Sequence, residues 1–208
     1  MKTIKILSLI ALFITVISCS TDDDSTPNIE VESQLIENLN APQEGGQGNP
    51  ISGEFTKFNF ATGQTTVSET DWDIAFRGTI ILVNGGEITG IEDEPNRTGE
   101  AAAYIASGTL ASVTSVDTSL LNQDFENSPA ILTGSGAGWY IYAGPPTHLI
   151  TPIAGKVLVF KTHDGKYAKL EILSYYKDAP ASPDAFADLD KYYTFNYVYQ
   201  PNGGVTIF

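Results

Sequence analysis

Lys156-Val157-Leu158-Val159-Phe160-Lys161-Thr162, His163-Asp164-Gly165-Lys166 and Tyr167-Ala168-Lys169-Leu170-Glu171-Ile172-Leu173 follow one another and decide the fold class. Two runs rich in β-branched and aromatic residues flank an Asp-Gly pair. That pair supplies the positive backbone angles of a tight turn between antiparallel strands. Moving outward, Glu54–Phe60 and Thr65–Val67 flank Ala61-Thr62-Gly63-Gln64 and read as a second hairpin. Trp72-Asp73-Ile74-Ala75-Phe76-Arg77 alternates, with large apolar groups on one face and polar or small ones on the other. Ile80–Val83 runs into Asn84-Gly85, a favoured turn pair, and Tyr193–Tyr199, Asn202-Gly203-Gly204 and Val205–Phe208 read as a closing hairpin.

Other segments are less regular. Val31–Leu39 fits a strand or a helix, and Glu44–Pro50 reads as a loop. Ser182–Leu189 has the form of a short helix, with Ser182 at the cap and Pro183 in the first turn. Gly99–Ala106 and Val116–Phe125 are further helix candidates. The expectation is a mainly β protein: a single, mostly antiparallel domain with a few short helices and no repeat of fixed period.

The first 25 residues, MKTIKILSLIALFITVISCSTDDDS, speak to location. Lys2 and Lys5 precede an apolar run, Ile6–Ile17, that is too short to span a bilayer and of the right length for a secretory signal. It stops at Ser18, before Cys19, the only cysteine in the chain. Val16-Ile17-Ser18-Cys19 resembles a bacterial lipobox, which implies a signal peptide over 1–18 and palmitate-type acyl chains on Cys19. Several acyl chains make a durable anchor. A plain signal followed by a stray cysteine is the other reading. Residues 19–30 form an acidic, flexible tether. Its Asp22-Asp23-Asp24 run resembles a lipoprotein export signal to the outer face of the outer membrane; an ordinary acidic linker is the alternative. The folded body then covers 31–208 and faces the exterior.

The formal charge is −14, with 25 acidic against 11 basic residues. Such a balance argues against nucleic acid as a partner. Catalytic chemistry has little to build on. Gly134-Ser135-Gly136-Ala137-Gly138 lacks the Lys-Ser/Thr ending of a phosphate loop and precedes a strand-like Trp139-Tyr140-Ile141-Tyr142. Glu92-Asp93-Glu94 lacks the spacing of a calcium loop and reads as a solvated acidic turn. Two histidines and one cysteine leave little for zinc or thiol catalysis. The chain is not expected to be an enzyme.

Three segments taken in order resemble the HmuY-type haem-binding lipoproteins of Bacteroidetes-type bacteria. They are Trp72–Arg77 with the following Asn84-Gly85-Gly86, then Gly155–Tyr176, then Tyr193–Gln200. The resemblance implies an antiparallel β fold and iron acquisition, in which haem is captured outside the cell and handed to a TonB-dependent outer-membrane receptor. Family members hold haem iron with a pair of histidines or methionines, and the sole methionine here is Met1. The candidates are His148 in the loop Gly144-Pro145-Pro146-Thr147-His148, then Tyr140 and Tyr142, with His163 a weaker one at the Asp-Gly turn.

Residues 156–162 between the histidines span roughly 23 Å as a strand, whereas two axial ligands lie about 4 Å apart. His148 alone, or His148 with a tyrosine, is therefore the expected ligand set, against an aromatic wall that includes Trp139. The alternative function is a β-rich surface module for another porphyrin, a glycan or a protein.

Overall fold

The computed structural model describes residues 28–46 and 48–208. The 1–18 signal, Cys19 and most of the tether lie outside the described residues. In chain order the strands are β1 Glu32–Asn40, β2 Glu44–Gly46, β3 Asn49–Ser52, β4 Thr56–Asn59, β5 Gln64–Thr66, β6 Ile74–Arg77 and β7 Ile80–Val83. They continue with β8 Ala102–Ser107, β9 Tyr140–Tyr142, β10 Ile150–Pro152, β11 Lys156–Lys161, β12 Tyr167–Tyr176 and β13 Asp190–Gln200. A five-stranded sheet, β1-β13-β12-β11-β8, and a four-stranded sheet, β5-β4-β6-β7, are antiparallel throughout. β9 with β10 and β2 with β3 form two short ribbons.

The two large sheets face each other across an aromatic core. Phe58 meets Phe195 edge-on at 5.6 Å, Phe60 lies 5.4 Å from Phe160, and Phe76 lies 4.8 Å from Tyr193. Such pairs contribute about 0.5–1.5 kcal/mol each beyond the area they bury. The buried tyrosines find partners for their polar ends. Tyr193 donates to the Gly78 carbonyl at 2.8 Å and Tyr197 to that of Phe60 at 3.1 Å, each a bond between the sheets.

The 156–173 hairpin forms with Leu158 opposite Leu170. Its turn differs from the expectation in one detail: Gly165 takes a positive φ of 85°, while Asp164 does not. Thr162 closes the turn instead. Its N–H donates to Lys166 O, its carbonyl accepts from Gly165, and its hydroxyl accepts from the Lys166 N–H. The Glu54–Val67 hairpin also forms, as β4 and β5.

Several expectations are corrected. Asn84-Gly85 is not a turn: the β6–β7 reversal is Gly78-Thr79, with Gly78 at φ 53° and Arg77 opposite Ile80. Asn84 is buried and works as a hub. Its amide donates to the carbonyls of Thr70 and Trp72, and its oxygen accepts from the N–H groups of Thr98 and Gly99. Gly85 is needed for close approach, since a Cβ there would lie 2.0 Å from Ala101 O. Strict alternation fails at Trp72, which packs with Phe55, Ala75 and Leu82 on the sheet face opposite Ile74 and Phe76.

The helix candidates also resolve differently. Gly99–Ala106 belongs largely to β8, where pairing with β11 overrides the helix propensity of its alanines. Val116–Phe125 holds one 3-10 turn, Thr118–Leu120, capped by Asp117. Ser182–Leu189 makes a single turn in which Asp184, not Ser182, accepts from Phe186, Ala187 and Asp188. A segment this short cannot offset the cost of helix nucleation. Val31–Leu39 lies within and just before β1, and Glu44–Pro50 contributes to the β2–β3 ribbon. The closing hairpin is absent: Val116 and Phe208 donate to Thr206 O and Thr114 O, so the C-terminus pairs with 114–116 rather than with β13. No helix among the described residues is long and apolar enough to cross a membrane.

Candidate functional site

β9 and β10 pair with Tyr142 opposite Ile150. The loop between them closes on itself, with Ala143 N–H donating to Leu149 O and His148 N–H to Gly144 O, both at 2.8 Å. Gly144 (φ 69°) allows the sharp return, and His148 itself sits at φ 53°, an uncommon conformation for a residue with a side chain. This geometry brings the His148 ring back over Tyr142, whose hydroxyl contacts His148 Nδ1. Phe186 meets the His148 ring edge-on at 5.7 Å.

These side chains open onto a cleft of about 400 Å³ whose other walls are Ile150, Tyr176, Ala185 and Asp190. The volume lies within the range of small-molecule sites, about 300–1,000 Å³. The Ile150 N–H donates to the Tyr176 hydroxyl at 3.0 Å and fixes the floor. Burial raises the Tyr176 phenol pKa, and the amide bond only partly offsets that.

The other expected residues lie elsewhere. Tyr140 packs 5.0 Å from Trp139 and its hydroxyl lies 3.4 Å from that of Thr79. It is not part of the cleft wall. Trp139 is a core residue, buried, with its indole N–H on Thr79 O; the aromatic wall is made by Tyr142, Tyr176 and Phe186 instead.

His163 is 2.7 Å from Asp73 through Nδ1 and 3.4 Å from Asp71 through Nε2, so both ring nitrogens face carboxylates. Its hydrogen bond to Asp73 raises its pKa above the ordinary value, outweighing burial. Asp73, His163 and Asp164 stand close enough to surround a cation. The Asp73 oxygens, however, already accept from the Phe60 N–H, the His163 N–H and the His163 ring. The ten residues of β12, about 30 Å at 3.3 Å per residue, separate Tyr176 in the cleft wall from the turn that carries His163.

Within Glu92-Asp93-Glu94 the first two residues form an exposed turn, as expected, but Glu94 does not share it. The Glu94 side chain is 3 % exposed and accepts from the N–H groups of Thr89, Gly90 and Ile91. Arg97 joins it at 2.7 Å and reaches the buried Asp124 at 2.9 Å. A larger groove of about 830 Å³ beside Phe55 and Lys57 contains no histidine, methionine or tyrosine in its wall.

The antiparallel sheets thus carry an open, aromatic-lined cleft with the exposed His148 imidazole at its edge. The HmuY protein model matches residues 52–197, and the chain belongs to the HmuY family, a family of binding proteins. Among solved structures, the apo HmuY analogue of Tannerella forsythia is similar over 85% of this chain and 100% of its own, with 17% identity and a TM-score of 0.51. A candidate lipoprotein of Bacteroides fragilis is 14% identical, with coverages of 84% and 94% and a TM-score of 0.48. A candidate HmuY-like haem-binding protein of Bacteroides vulgatus is 13% identical, with coverages of 85% and 97% and a TM-score of 0.46. No curated protein matches the chain.

Proposed function

We propose that this chain is a non-enzymatic lipoprotein, anchored through Cys19 and displayed on the cell exterior. It takes haem into the Tyr142–His148 cleft and passes it to a TonB-dependent outer-membrane receptor. The observation that carries the reading is the His148 ring, held by Tyr142 at the mouth of an aromatic cleft in a chain of the HmuY family. The residues present suit the group: imidazole and phenolate are known iron ligands, and Phe186, Tyr142 and Tyr176 offer ring surfaces to a flat macrocycle. When bound, haem supplies the iron that accepts a ring nitrogen. The protein supplies the orientation and the apolar walls. Tyr140 and His163, engaged elsewhere, have no part in this reading.

Titration of the full chain with haemin, followed at the Soret band beside His148→Ala, tests it. A saturable shift near one equivalent that the variant loses is expected. Absence of any saturable shift in the parent would remove haem and leave a surface module for a different ligand.

A further inference from the structure

The way the two rings of the cleft are joined assigns their roles, an assignment that rests on the haem reading above. A neutral imidazole carries one N–H and one lone pair, and the hydrogen bond made by one nitrogen settles which of them the other presents. In His148 it is Nδ1 that meets the Tyr142 hydroxyl. Nε2 is the remaining ring nitrogen. When the phenol oxygen accepts from Nδ1–H, the lone pair stands on Nε2, the form that binds a metal.

The supports of the two residues differ in the same sense. Tyr142 is held on a paired strand, opposite Ile150, and its N–H donates to Ser135 Oγ at 2.9 Å. His148 stands on the loop between β9 and β10, where its own main chain is held by one bond, to Gly144 O, and it has no strand partner. The rigid partner is the tyrosine, and the ring that needs positioning is the histidine. The Phe186 edge, 5.7 Å away at 86°, limits rotation of that ring from another side.

We propose that Tyr142 is a positioning residue and not an iron ligand. Its oxygen accepts the Nδ1–H of His148, fixes the tautomer and the ring plane, and leaves Nε2 as the atom that takes the iron. Such hydrogen-bonding partners behind a ligating histidine typically change metal affinity by about 10–100-fold when removed.

The test is Tyr142→Phe in the full chain, which keeps the ring and removes the acceptor, beside His148→Ala and the parent. Haemin affinity and the iron–histidine stretching band of the ferrous complex, by resonance Raman, are read in each. With Tyr142 in this role, Tyr142→Phe still binds one equivalent of haemin, about 10-fold or more weakly, and its iron–histidine band moves to lower frequency. His148→Ala loses the band. Three results overturn the assignment. One is a phenolate-to-iron charge-transfer band in the ferric parent that vanishes in Tyr142→Phe. The second is retention of haemin by His148→Ala with its loss in Tyr142→Phe. The third is identical affinity and band position in parent and Tyr142→Phe. Each leaves the haem reading intact, whereas a parent that shows no Soret shift removes both.

Discussion

Asp73 and His163 lie 90 positions apart, yet one carboxylate oxygen of Asp73 accepts from both the main-chain N–H and the ring Nδ1 of His163, at 2.9 and 2.7 Å. The same carboxylate accepts from the Phe60 N–H with its other oxygen. One buried side chain thus ties the entry to β6, the end of β4 and the turn between β11 and β12, which joins the two sheets at one pole of the molecule.

This clamp makes stability depend on pH. His163 faces Asp71, Asp73 and Asp164, and its bond to Asp73 raises its pKa in the folded state above the unfolded value. The folded chain therefore holds the ring proton more tightly, and the gain is fully present below the unfolded value, about 6.5. It is lost as pH rises through the raised folded value. Urea midpoints measured from pH 5.5 to 9 are expected to fall as pH rises above about 6.5, and His163→Asn is expected to flatten that slope. An equal slope in both chains would assign the dependence to other groups.

The Arg97 guanidinium is shared by Glu94 and Asp124, and all three side chains are at most 3 % exposed. Burial holds the Asp124 pKa above its ordinary value even with Arg97 and the N–H groups of Ala130 and Val83 opposing it. Arg97→Met would leave this carboxylate without its cation. A loss of about 3–5 kcal/mol in unfolding free energy is expected, the usual cost of breaking a buried ion pair from one side. Replacing Glu69 of the Lys57–Glu69 pair, whose carboxylate is largely in solvent, is expected to change stability by under about 1 kcal/mol.

Phe186 is 76 % exposed, so Phe186→Ala is expected to leave the thermal midpoint essentially unchanged. The same ring stands edge-on to His148 and forms one wall of the cleft. Its removal should weaken haemin binding by about fivefold, corresponding to roughly 1 kcal/mol of aromatic contact. Isothermal titration of parent and variant measures this directly, and equal affinities would place the macrocycle away from this wall.

The parts of the fold legible in the sequence are those held by neighbours in the chain. β11 and β12 announce themselves through alternation and Asp164-Gly165 because both signals act within about eighteen residues. Asn84-Gly85 carries the same kind of signal but is spent on distant partners: Asn84 satisfies four main-chain groups from two other segments, and Gly85 admits the 101 backbone. Glu94 looked solvated because its cation, Arg97, and the shared Asp124 come together only in the folded chain.

The cleft divides in the same way. His148 and Tyr142 are six residues apart, and a proline-rich loop with a nearby tyrosine was enough to mark them. Tyr176 ends β12, and Phe186 and Asp190 reach the cleft from the segment that follows it, where nothing local marks them. The one available cue was a large aromatic, Phe186, set among Asp184 and Asp188 where a soluble helix face would gain nothing from it.

The position of β13 has a consequence for how the chain acquires its shape. β13 comes last among the described strands in chain order, yet it lies between β12 and β1, and its pairing to β1 joins residues such as Glu32 and Tyr199. Until about residue 200 has emerged, the first strand has no neighbour and the main sheet cannot close. Contacts of such long sequence separation are slow to form, because the entropy of closing the loop precedes any reward. A chain still emerging from the ribosome is therefore kept from closing its main sheet, by its own strand order, until β13 is free to pair on both sides.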